Sequence, residues 1–446
     1  MIKAFVSLIN RYGYVPNGTR EYYLNRSQPP MLAQMVDIYI SVTGDTKILI
    51  DVLPALKKEY NHWASTHMIK VKRQTGDDVT EHNVFRYKAK SNIARPESYR
   101  TDLQTANLFS NDTSKRTALF CEIVAATESG HDFSSRWIKG YVGPNSNPIH
   151  LLTQLNTSDV VPPELNAILY RNMQLIYKLS GIAINATNNK NLRRRYLDDQ
   201  HLFKAKAEKL KSSIFDLLFD ADSGMFNDWS ISGNNFTGVW SPANLWPYWY
   251  LSDDINPGSI SNAWESVSDI ASTNPGGIPA TLVNTGLQWD YPDVWAPHQY
   301  VLIKAILSSV KSISSSTNNT AAVPTTKHEL SRNGTLDSEA SMYYNLLSQH
   351  SELKALALQI AQSFINNAYC GWYFTGGSIP DLLEKLPNVR GDGQMFEKYD
   401  AKIIGKQAEG GEYAGQYGFG WTNGVILWLL DLFGKDLVNP TCTKHP

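Results

Sequence analysis

Apolar positions along this chain recur at spacings of three and four residues far more often than they alternate, a period that predicts helices rather than strands. Leu32, Met35, Val36, Tyr39 and Ile40 fall on one face of a helix over Pro30 to Val42. A second pattern covers Thr46 to Trp63 and is expected to split near Pro54, since proline lacks the N–H that a helix interior uses. A third runs from Glu164 to Leu179 behind Pro162-Pro163, a pair suited to a helix start. Asn191 to Leu218, Ser261 to Ala271, Pro297 to Ile313, Glu339 to Asn367 and Asn423 to Leu432 carry the same period, and Met1 to Arg11 reads as an amphipathic helix inside a fold. The expected class is all-α. No fixed-period repeat is present, which argues against a solenoid. Ser312 to Thr335, rich in Ser, Thr and Asn, reads as a mobile surface loop within a single domain spanning residues 1–446.

Between the helical stretches lie loops dense in aromatic, amide and charged side chains, the segments that usually carry function on a helical scaffold. They are Asn17 to Gln28, Arg95 to Arg100, Glu128 to Trp137, Gln288 to Pro297, and Glu397 to Trp421.

Composition narrows what these loops serve. The 446 residues hold 41 basic and 42 acidic side chains, a formal charge of -1 that offers no footprint for nucleic acid or an anionic membrane. Twelve Trp and 23 Tyr supply rings with a polar handle, which suit stacking on the C–H face of a sugar. No apolar run reaches the ~18 residues of a membrane span. Cys121, Cys370 and Cys442 allow at most one intramolecular bridge and have no zinc-finger spacing. No metal cluster, phosphate loop or nicotinamide fingerprint occurs, so no cofactor is implied.

Cleaving a glycoside takes two carboxyl groups, one protonated to release the leaving oxygen and one ionised. Pattern alone shortlists Asp132, Asp290, Glu397 and Glu412 without choosing among them.

At these same loops the chain resembles the trehalase family of glycoside hydrolases. Gln288-Trp289-Asp290-Tyr291-Pro292-Asp293-Val294-Trp295-Ala296-Pro297 is similar to the family's second signature. Tyr14 to Pro30, Arg95-Pro96-Glu97-Ser98, Ser129-Gly130-His131-Asp132-Phe133 to Trp137, and Phe419 to Gly424 follow in the family's order, so that the resemblance extends from Met1 to about Phe433. It implies an (α/α)6 toroid-type helical barrel and inverting hydrolysis of trehalose to two glucoses. By the same resemblance Asp132 is the general acid and Glu397 the general base, ~6.5–9.5 Å apart with a water between base and sugar. Asn17, Arg26, Ser27, Gln28, Arg95, Pro96, Glu97 and Gly130 would contact the glucose units, and Glu412 would organise its loop.

Departures from the family pattern set further expectations. His131 stands where the family usually has Trp, and the glycine-rich loop opens as Gln407-Ala-Glu-Gly-Gly with fewer glycines than usual. The family's first signature, Pro-Gly-Gly-Arg-Phe, does not occur, which implies a truncated member lacking the toroid's first helices. A catalytically impaired relative that binds sugar or serves regulation is therefore the rival expectation. Asn-x-Ser/Thr sequons at Asn111, Asn156, Asn185, Asn235, Asn318 and Asn333 favour a secretory setting for a full-length form, although Met1 to Arg11 does not read as a signal peptide. Oligomeric state is not legible at this level.

Overall fold

The computed structural model describes residues 1–140, 142, 143, 146–318 and 351–443. These residues are predominantly helical, as the periodicity predicts, and they divide into two compact units, one built mainly from the chain up to Gly238 and the other mainly from Val239 onward.

The first unit contains α1 (Ile2–Tyr12), α2 (Leu32–Thr43), α3 (Leu49–Thr66), α4 (Tyr99–Phe109), α5 (Thr113–Ser129), the short α6 (Pro148–Leu152), α7 (Pro163–Ala186) and α8 (Lys190–Leu218). In α1, Val6 and Ile9 are buried one turn apart. Pro54 does not split the second helical stretch. A 3-10 turn over Thr46–Ile48 leads straight into α3, and Pro54 lies near its start, where the missing N–H costs one bond while Leu53, Ala55 and Leu56 are buried around it. The Asn189 side chain caps α8 by accepting from the N–H groups of Asn191 at 3.0 Å and Leu192 at 3.2 Å.

Strands lie between α3 and α4. β1 (Met68–Thr75) and β2 (Asp78–Phe85) form an antiparallel hairpin whose register pairs Thr75 with Asp78 across a two-residue Gly-Asp turn. Gly76 takes φ 61° there, the left-handed conformation such a turn requires.

The second unit contains α9 (Tyr248–Leu251), α10 (Pro257–Thr273), α11 (Ala296–Asn318), α12 (Ser351–Phe374) and α13 (Gly420–Phe433). α11 packs against α9, α12 and α13. It extends through Asn318, so the first residues of the expected Ser312 to Thr335 loop are helical instead. Ser312 and Ser314 are buried, and their hydroxyls donate to the carbonyls of Ser252 at 2.8 Å, 60 residues earlier, and Val310 at 2.9 Å. The rest of that stretch, and the start of the helix expected from Glu339, lie outside the described residues. Cys370 of α12 is bridged to Cys442, within the bound of one disulfide set by the cysteine count. Among the described residues no helix is long and apolar enough to cross a membrane.

Candidate active site

In the first unit, the last turn of α5 is where the predicted sugar-contacting residues converge. The helix begins at Asp112, whose side chain accepts from the Lys115 N–H at 2.9 Å, and ends at Gly130 with φ 75°. From Ile123 to Ser129 every residue is buried. Three of these reach outward by hydrogen bonds. The Thr127 carbonyl accepts from Gln28 Nε2 at 2.9 Å, and Thr127 Oγ1 accepts from Arg95 Nη1 at 3.1 Å. Glu128 Oε1 accepts from the Ser27 N–H at 2.9 Å, while Oε2 meets His67 Nε2 at 2.8 Å and the Lys88 N–H at 3.2 Å. Ser129 Oγ accepts from the His131 N–H at 3.0 Å and so turns the chain toward Asp132, which is half-buried.

The Asn17 to Gln28 loop is tied to itself as well as to α5. The Asn17 backbone N–H donates to the Arg26 carbonyl at 3.0 Å, and its Oδ1 accepts from Arg26 Nε at 3.3 Å. Arg26 is buried, lies 5.0 Å from the Tyr23 ring centroid and forms an ion pair with Glu97. Pro96 opens the 3-10 turn Pro96–Ser98 that presents Glu97. At Gly130 a Cβ would lie 3.0 Å from Gln28 Oε1, so both backbone conformation and space favour glycine.

Arg95 is held by the protein itself. Its Nε and Nη2 form a fork on Asp102 at 3.0 and 2.7 Å, and its guanidinium lies 5.2 Å from the Phe133 ring. Arg136 is likewise internal, pairing with Asp228 and with Glu164 at 2.8 Å. Burial pushes the Glu164 carboxyl up from its ordinary value, with Arg136 acting against that. The His131 carbonyl accepts from Trp137 Nε1 at 2.9 Å, so the residue that departs from the family pattern is locked through its backbone.

The second unit holds Glu397 and the signature segment. Asp293–Trp295 pairs antiparallel with Lys398–Asp400, placing Trp295 opposite Lys398. Trp289 stacks on Trp295 with centroids 3.9 Å apart, and Trp421 of α13 packs edge-on against both. Trp421 Nε1 donates to the Glu397 carbonyl at 3.4 Å and Thr422 Oγ1 to the Phe396 carbonyl at 2.8 Å, which fixes the backbone on either side of the carboxylate. Glu397 is 2% exposed; its Oε1 accepts from Tyr413 Oη at 3.0 Å and its Oε2 from the Gln416 N–H at 2.9 Å.

The carboxylates around Glu397 and the signature segment separate on these contacts. Asp290 is fully buried and accepts from Thr281 Oγ1 at 3.0 Å and from Thr285 Oγ1, closing its own loop. Asp293 pairs with the buried Lys398, and burial pushes its carboxyl up to about 8 against the pull of that ammonium. Glu412 is half-buried within the glycine-rich loop. Among the described residues no cluster of three His, Cys, Asp or Glu side chains is arranged to hold a metal.

Sequence reasoning missed the parts played by Glu128, Thr127, Asp102, Tyr413 and Lys398. Glu128, Lys398 and Tyr413 do lie inside loops singled out for their composition, but composition carries no sign of which residue binds a backbone N–H a hundred positions away.

The sequence profile of the trehalase family matches residues 1–335 and 384–434. The trehalase of Dictyostelium discoideum is 31% identical over 449 residues, covering 99% of this chain and 64% of that protein. That of Bombyx mori is 32% identical over 444 residues, with 98% and 63% covered, and that of Homo sapiens 31% over 445, with 98% and 62%. The chain thus spans a little under two thirds of the length of these relatives. Among solved structures, neutral trehalase Nth1 from Saccharomyces cerevisiae shares the fold with a TM-score of 0.62 at 18% identity, covering 97% of this chain and 67% of that one.

Proposed function

The chain belongs to the trehalase family, and from that membership we propose that it hydrolyses the α,α-1,1 glycosidic bond of trehalose to two glucoses by an inverting acid/base mechanism. In this reading Asp132 donates a proton to the leaving oxygen, and Glu397 takes one from the water that attacks the opposite face of the sugar. Asn17, Arg26, Ser27, Gln28, Arg95, Pro96, Glu97 and Gly130 hold the glucose units. No cofactor takes part.

The observation that supports this most is the setting of Glu397. A carboxylate 2% exposed, with one donor on each oxygen and its flanking carbonyls pinned from α13, has a single orientation and lone pairs left for a water. Such fixed placement is what a general base needs, because a displacement of ~1 Å can cost ~10²-fold in rate.

Inversion at one of two α-linked carbons yields one α- and one β-glucose per turnover. Proton NMR of the earliest products from the full chain and trehalose tests this: equal amounts of both anomers are expected. Only α-glucose would mean retention, and no release of glucose would leave the chain as a sugar-binding relative.

A further inference from the structure

The segment Gln407 to Tyr417 touches the Glu397 region at its start, middle, tip and return. At the start, the Ala408 N–H donates to the Lys398 carbonyl at 3.3 Å. In the middle, Lys398 Nζ donates to the carbonyls of Glu409 at 3.2 Å and Gly410 at 3.1 Å while pairing with Asp293. The Gly411 N–H donates to the Gly286 carbonyl at 3.2 Å, just ahead of the signature segment. At the tip, Tyr413 Oη donates to Glu397 Oε1. On the return, Gln416 gives its N–H to Glu397 Oε2 and accepts the Glu397 N–H on its own carbonyl at 2.8 Å. The Gln407 side chain closes the segment by donating to the Gly415 carbonyl at 2.6 Å.

We infer that this glycine-rich segment is a clamp that sets the Glu397 carboxylate, with Tyr413 and Lys398 as positioning residues. The inference rests on the reading of Glu397 as the general base. Lys398 opens the Lys398–Asp400 strand and follows Glu397 directly in the chain, so the ammonium that fastens the loop and the carboxylate that the loop orients are carried by adjacent residues. Asp293 anchors that ammonium from the paired strand, which links the signature to the base without any contact of its own with Glu397's carboxylate. Two adjacent glycines at φ 90° are what let the loop lie so close: a Cβ on Gly411 would run into the Gln288 side chain, and one on Gly410 would sit 2.9 Å from the Gly286 carbonyl oxygen. The reduced glycine content of this loop has therefore spared the two positions where a side chain could not be housed.

The test uses the full chain and two independent readouts. In hydrogen exchange followed by mass spectrometry, Glu397→Ala and Tyr413→Phe should each speed exchange of the 407–417 segment, because either change removes one side of the clamp. In trehalose kinetics, Tyr413→Phe should lower kcat about tenfold with KM unchanged, a fraction of the ~10²-fold cost of a full displacement. Gly411→Ala should do the same, and the double variant should lose no more than the worse single, since both act on the placement of one carboxylate. Unchanged exchange in both Glu397→Ala and Tyr413→Phe overturns the clamp. So does a rise in KM at constant kcat for Tyr413→Phe, which would place that hydroxyl on the sugar. Glu397→Gln is measured alongside: near-normal turnover there defeats the base reading itself, whereas an inactive Glu397→Gln beside an unaffected Tyr413→Phe defeats only the clamp.

Discussion

The N–H of Ser27 donates to Glu128 Oε1 at 2.9 Å across a separation of 101 residues. The same carboxylate, 1% exposed, receives His67 and the Lys88 N–H, so one side chain fastens the Asn17 to Gln28 loop, the end of α3 and the strand exit at Lys88 to the last turn of α5. Glu128→Ala would leave the Ser27 N–H and the His67 ring nitrogen buried without this partner and free the Lys88 N–H at the edge of the site. A loss of about 3–5 kcal/mol is expected, read as a fall in the urea midpoint with unchanged slope.

Asp132→Asn and Glu397→Gln should each lower trehalose hydrolysis by ~10²–10⁴-fold while leaving the thermal midpoint within a few degrees of the parent. Near-normal turnover in either variant removes that residue from its role, with Glu412 next in line as base.

For Arg95 the sequence leads one to expect that removal harms turnover far more than folding. Its fork on Asp102 and its bond to Thr127 change that expectation. Arg95→Ala strands a buried carboxylate, so stability should fall by about 3–5 kcal/mol together with activity. Calorimetry beside kinetics separates the two: lost turnover at an unchanged melting temperature would mean that the fork is dispensable for the fold.

Glu59 lines a cavity of about 10 Å³ together with Pro30, Ala33, Leu56, Tyr60, Trp63, Leu169, Asn172 and Ile176. Burial pushes its carboxyl up to about 8, so the folded chain keeps a proton that the unfolded chain releases near the ordinary glutamate value. Between those two values the folded state binds more protons than the unfolded one. The contribution to stability is complete below about pH 4 and is lost as pH rises to about 8. Glu59→Gln, neutral throughout, should flatten the dependence of the denaturation midpoint on pH between 5 and 8 and raise stability at pH 8 by at most about 5 kcal/mol. A parallel pair of curves for the two proteins would show that Glu59 is already ionised in the fold.

Much was legible in the residue order because it is written in short range. The apolar period of Asn191 to Leu218 reproduces α8 to within a residue, since a helix buries one stripe whatever it packs against. The Gln288 to Pro297 signature and the Asp132 loop announce their family as strings. The hairpin of β1 and β2 was hidden by that same reliance on helical period, although Thr-Gly-Asp-Asp marks its turn. What the order of residues left open is which carboxylate does what. Asp293, Glu128 and Glu397 are all acidic side chains in the segments singled out for their composition, and only contacts from residues 16 to 105 positions away tell them apart: an ammonium for Asp293, loop N–H groups for Glu128, and a tyrosine with a returning N–H for Glu397. Helices follow from interactions three and four residues apart, whereas the environment of a buried charge is assembled by tertiary packing from donors that the chain brings back over tens to a hundred residues.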